Sequence, residues 1–83
     1  MKLNILHNWN MSQDNFSNAR NILAKNVQLL RQKAKLNKEE LSLLLGFENS
    51  YISKLENSRI NITLDKIEKI ANYFDVNLYK LLK

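Results

Sequence analysis

Between Asn49 and Lys54 the chain sets an amide, two hydroxyls, a phenol and an ammonium within six positions, interrupted only by Ile52. The chemistry open to such groups is hydrogen bonding to flat ring edges and to phosphate oxygens. Asn49 can bond an adenine edge in bidentate fashion, and Lys54 can reach O6 and N7 of guanine. Ser50 can donate to a base or a phosphate, and Ser53 adds a hydroxyl to the same short stretch. Tyr51 can pack on a thymine methyl or bond a phosphate. Two of these residues have plainer readings as well: Asn49 stabilises a helix start, and Tyr51 is partly core.

These groups need a rigid element to hold them, and the surrounding stretch from Asn37 to Asn57 supplies one. Asn37 is a good N-cap, and Glu40 three residues on completes a capping box. Leu41 and Leu45 follow on one helical face. Gly46 then offers the left-handed backbone that stops a helix and turns the chain. Ile52 and Leu55 give a second helix its buried side and leave the polar residues around them free. The result is a helix-turn-helix, the geometry that lays a second helix into the DNA major groove.

The order E-L-x-x-x-x-G-x-x-x-x-x-I-S-K-L-E-N, running from Glu40 to Asn57, resembles the phage-repressor-like family, also called the XRE or Cro-repressor family. The resemblance extends from about Ala19 to Leu82 and implies an all-α, five-helix, lambda-repressor-like domain. It further implies that Arg31 and Glu56 form a structural ion pair beneath the recognition helix. Lys38 opens the first motif helix where similar proteins commonly carry a glutamine, so a charge-assisted phosphate contact is expected there. Asn57 ends the recognition helix; the family often has glycine just after, where this chain has Ser58, so Asn57 is expected to take the left-handed turn or to contact phosphate. Arg59 and Asn61 lie in the loop that runs along the backbone in similar proteins. Glu48 stands against the pattern, because a carboxylate beside phosphates is unfavourable unless it accepts from a cytosine amino group.

Three helix starts share one rule, a hydrophobic residue before an N-cap that meets another five positions later. Leu36–Asn37–Leu41, Ile62–Thr63–Ile67 and Val76–Asn77–Leu81 all follow it. Phe47 and Ile52 have the same spacing around Glu48, a poor cap. These signals predict helices near 12–35, 38–45, 49–57, 64–74 and 78–82. In the first, Phe16, Ala19, Leu23, Val27, Leu30 and Ala34 fall at helical spacing. In the fourth, Leu64, Ile67, Ile70, Ala71 and Phe74 are expected inward. The last segment carries more apolar residues than one side can bury. Most can cap the chain's own core, while Tyr73, Val76, Tyr79 and Leu82 are candidates for a two-fold dimer seam like that of similar small repressors. Leu43 and Leu44 depart from the family, which is usually polar there. Three consecutive leucines cannot all point inward on one helix. Residues 1–16 hold the nearest unused apolar material that could cover them.

The chain divides into an N-terminal extension, 1–17, and a helix-turn-helix domain, 18–83. In the extension Met1, Leu3, Ile5, His7 and Trp9 alternate with other residues in a strand-like period that Leu6 breaks. It reads as an arm, a leader or a tag, with Met11 a second candidate start. Ser12 and Ser17 are both cap types for the first helix, and Met11 can staple to Phe16.

Composition narrows the function classes. With 83 residues one domain is expected, with a modest core. There is no cysteine and one histidine, so neither a disulfide nor a metal site is expected. No proline and one glycine suit an all-helical chain. No apolar run approaches the roughly 20 residues that span a bilayer, so the expected compartment is the cytoplasm, with no membrane partner. A net charge of +5 favours an anionic partner, nucleic acid first. With no glycine-rich phosphate loop and no cofactor or catalytic constellation, the chain is not expected to be an enzyme. The expected function is a homodimeric regulator of transcription that reads a palindromic operator in double-stranded DNA with helix 49–57. The short length and the 57–64 loop lean toward controller proteins. The alternative is an antitoxin or interaction module that uses the same fold to bind a toxin or other protein.

Overall fold

The computed structural model describes residues 19–83, and the expectations for the N-terminal extension lie outside them. Among the described residues there are five helices and no strand. They are α1 over 19–33, α2 (Lys38–Leu44), α3 (Tyr51–Glu56), α4 (Leu64–Tyr73) and α5 (Leu78–Leu81).

Burial at helical intervals makes one core. Leu23 and Val27 of α1, Leu41 of α2 with the adjoining Leu45, Ile52 and Leu55 of α3, Ile67, Ile70 and Ala71 of α4, and Leu81 of α5 are all buried together. Leu30, Leu36, Phe47, Ile60, Ile62, Phe74 and Val76 pack around this centre. Truncating a fully buried leucine such as Leu41 to alanine costs about 2–5 kcal/mol in transfer energy and cavity.

The starts and stops of the helices obey local chemistry. Asn37 accepts from the Glu40 N–H at 2.7 Å, and Glu40 returns the bond to the Asn37 N–H at 2.8 Å, a complete capping box. Thr63 accepts from the Lys66 N–H at 3.3 Å and caps α4. Asn77 precedes α5 in extended geometry without a side-chain capping bond. Four helices stop in one way: a left-handed residue closes paired backward hydrogen bonds. For α2, Gly46 has φ +75°, its N–H reaches the Leu43 carbonyl at 3.0 Å, and the Phe47 N–H reaches Ser42 at 2.8 Å. Lys35, Ser58 and Asp75 do the same after α1, α3 and α4, at φ 60°, 57° and 54°. Leu36 and Val76 then serve twice, closing one helix and standing before the cap of the next.

Several expectations need correcting. Ala34 is exposed because α1 ends at residue 33 and the chain turns there. Leu64 is 67% exposed; as the first residue of α4 it precedes the turn whose face meets the core. The second motif helix starts at Tyr51 rather than 49, because Asn49 and Ser50 form the turn that enters it. Asn57 stays at φ −92°, and Ser58 takes the left-handed position. The residue one place later is the one whose N–H must fold back onto the Leu55 carbonyl.

Candidate nucleic-acid interface

The two motif helices pack through Leu41, Leu45, Ile52 and Leu55, which sets α3 across α2. A polar contact fixes the joint. Ser42 is fully buried; its hydroxyl donates to the Lys38 carbonyl at 2.9 Å and accepts the Ile52 N–H at 3.1 Å. Ile52 is in the first turn of α3, where backbone N–H groups lack partners within the helix. Ser50 stands at the N-cap position, with no side-chain capping bond of its own. A side chain from α2 therefore does the capping. Sequence reasoning missed Ser42. The available signal was its place directly after Leu41 and three before Leu45, on the flank of the buried face.

Beneath α3, Arg31 and Glu56 are joined by two bonds, Nε to Oε2 at 2.7 Å and one terminal guanidinium nitrogen to Oε1 at 3.1 Å. The remaining terminal nitrogen donates to the Leu36 carbonyl at 2.8 Å. Both side chains are nearly buried, at 9% and 4% exposure. The pair ties the end of α1 to the last residue of α3, so it positions the helix and has no face left for a ligand.

The outer side of the motif holds the remaining candidates. Asn49, Ser50, Asn57, Arg59, Asn61 and Lys38 are exposed, and Ser53 and Lys54 are half-buried. Glu48 links two of them: Ser50 donates to its Oε1 at 3.2 Å, and Lys54 Nζ lies 3.6 Å from the same oxygen. The side chains of Lys54 and Glu48 are 44% and 70% exposed, so water screens the pair and the lysine can leave at little cost. Asn57 turns its amide back to the Ser53 carbonyl at 2.9 Å. Ser58 donates to Asn21 at 2.9 Å, fastening the loop after α3 to α1. This surface offers amide, hydroxyl, ammonium and guanidinium donors, with Glu48 the one carboxylate among them.

Tyr51 is placed differently from its neighbours. Its ring packs on Phe47 with centroids 4.7 Å apart, and Lys66 lies over it at 4.6 Å. Its hydroxyl is closed off from solvent without a hydrogen-bond partner, and burial pushes the phenol pKa above its ordinary value. A base contact by that hydroxyl does not fit this position, because the helical phase turns Tyr51 toward α4.

Of the dimer candidates, Tyr73, Tyr79 and Leu82 are exposed, while Val76 packs against the core. Leu29, which the sequence did not single out, is 53% exposed and lines a groove with Leu30, Val76 and Leu81. Asn26 donates to the Leu81 carbonyl at 2.9 Å and holds α5 on α1. Leu43 and Leu44 are 62% and 55% exposed among the described residues, and the segment expected to cover them lies outside those residues.

Comparison with known proteins agrees with this geometry. A helix-turn-helix family model matches residues 27–81, from within α1 to the end of α5. A protein of Neisseria meningitidis serogroup B described as a hypothetical transcription factor is 40% identical over 63 residues, which is 76% of this chain and 59% of that relative. The chain thus spans about three-fifths of that relative's length. The control protein C.SmaI of Serratia marcescens is 31% identical over 67 residues, 81% of this chain and 80% of its own. The crystal structure of the hypothetical transcription factor NHTF from Neisseria superposes with a TM-score of 0.74 at 39% identity, covering 77% of this chain and 74% of that one. The capped α2, the glycine turn, the doubly anchored α3 and these matches place the chain in the XRE/Cro-type helix-turn-helix family.

Proposed function

We propose that this chain is a sequence-specific, DNA-binding regulator of transcription that acts as a homodimer on a palindromic operator. The observation behind this reading is α3 itself. Ile52 and Leu55 anchor it in the core, while Ser53, Lys54 and the preceding Asn49 and Ser50 keep access to solvent, with Ser50 and Lys54 held only by the exposed Glu48. In this reading Asn49 and Lys54 meet base edges. Lys38, Ser50, Ser53, Asn57, Arg59 and Asn61 fix the protein on phosphates, which set register without reading sequence. Tyr51 supports α3 on the flank that faces α4. Glu48 releases Lys54 to a guanine and can accept from a cytosine amino group. A second copy docks through Tyr73, Val76, Tyr79 and Leu82, so that two copies of α3 lie about 34 Å apart on one face of the duplex. The relatives' descriptions as transcription factor and control protein support the regulatory role. Binding of DNA, with no chemistry on it, is the expected activity, in the cytoplasm and without a cofactor.

Selection of bound sites from random duplex DNA tests this reading. A palindromic consensus is the expected result, and enrichment of no sequence would refute it. Exposed Leu43 and Leu44 favour one second reading, an antitoxin-like module that holds a protein partner on α2. In that case Leu43→Gln with Leu44→Gln abolishes partner capture and leaves the selected DNA consensus unchanged.

A further inference from the structure

Lys66 and Lys69 stand one turn apart on α4, and both reach back toward the turn that leads into α3. Lys66 Nζ is 4.6 Å from the centre of the Tyr51 ring and 5.6 Å from that of Phe47. Lys69 Nζ is 5.7 Å from the Phe47 centre and 3.5 Å from the point where a Cβ on Gly46 would sit. Neither ammonium is in an ion pair among the described residues, although Asp65 and Glu68 are their neighbours in sequence. The rings hold each cation by their π faces, a modest attraction for exposed groups. They take up no N–H donor in a conventional bond, and each ammonium has three. Two like charges are thus gathered on one small aromatic platform with no anion to neutralise them.

We propose that Lys66 and Lys69, seated on the Phe47–Tyr51 platform, form a phosphodiester-binding pair that grips the DNA backbone beside the groove α3 enters. This rests on the reading of α3 as the groove helix. A helix with its side chains is about 10–12 Å across, and the major groove is about 12 Å wide. Cations held against the flank of the first turn of α3 therefore stand beside the bordering phosphate row. Tyr51 and Phe47 act as positioning residues: they spread the pair and aim it, and α4 becomes a third element of the interface after α2 and α3. The contact is sequence-independent and adds to affinity through counterion release.

The test compares wild type, Lys66→Gln with Lys69→Gln, and Lys66→Arg with Lys69→Arg, on the selected operator and on random duplex of equal length over a salt series. Both side chains are exposed, so melting temperatures should stay near wild type. The glutamine pair should weaken both duplexes equally, flatten the slope of log K against log salt by roughly two, and leave the consensus unchanged. The arginine pair should keep the wild-type slope. Should the glutamine pair fail to fold, each single glutamine variant should flatten the slope by about one. An unchanged slope, or an arginine pair as weak as the glutamine pair, overturns the proposal. If Lys54→Ala still alters the consensus in that case, the groove reading survives alone. Failure of the wild type to bind any duplex removes both.

Discussion

The hydroxyl of Ser42 on α2 accepts the backbone N–H of Ile52 on α3 at 3.1 Å, while donating to the Lys38 carbonyl within its own helix. One buried oxygen thus links the start of α2 to the start of α3 and pins the joint between them. Ser42→Ala leaves a buried N–H without a partner, which costs about 1–3 kcal/mol. Urea unfolding should show a lower midpoint with an unchanged m-value.

Arg31 and Glu56 predict a larger effect. Glu56→Gln leaves a nearly buried guanidinium without its anion, and breaking such a pair costs about 3–5 kcal/mol. Arg31→Met with Glu56→Leu removes both charges and should recover most of that loss. A double-mutant cycle by denaturant unfolding measures the difference.

Tyr51→Phe should stabilise the protein. The buried hydroxyl has no partner, and its removal should contribute about 1 kcal/mol at neutral pH. Burial holds the phenol above its ordinary 10.0, so the folded chain keeps the proton more tightly than the unfolded chain. The stability linked to that proton is full below pH 10.0 and is lost as pH rises through the raised folded value. The gap between variant and wild type should therefore widen in alkaline solution, as read from melting temperatures across that range.

Lys35→Gly should raise stability by about 1 kcal/mol, because the exposed Lys35 sits at φ 60° where a side chain is strained and makes, among the described residues, no side-chain bond that glycine would lose. Gly46→Ala should lose about 1–2 kcal/mol through the backbone alone, since the added Cβ would make only an ordinary contact with Lys69. Thermal melting of the two variants should move in opposite directions.

Lys54→Ala should lose about 1–3 kcal/mol of operator affinity and relax the preference at one base pair. Lys38→Ala should weaken all duplexes about equally and reduce the salt slope by roughly one. Glu48→Gln frees Lys54 from its pairing at 3.6 Å and should raise affinity for random DNA. Competition binding on selected and random duplexes separates the three.

The amino-acid sequence determined the elements and their order, because those signals act over a few residues. Asn37 with Glu40 makes the capping box, Gly46 makes the turn, and apolar residues at helical spacing mark the core face. The outward placing of Lys54 follows from the same periodicity, whereas Asn49 and Ser50 are exposed in the turn that enters α3. Arg31 and Glu56, 25 positions apart, were tied together only through the family resemblance, since nothing local joins them. Tertiary structure alone decided the rest. It gave α3 its cap from Ser42 on α2 and folded Tyr51 under Lys66. Each depends on how one helix lies against another, and a crossing angle is set by the summed packing of many side chains rather than by any short run of sequence.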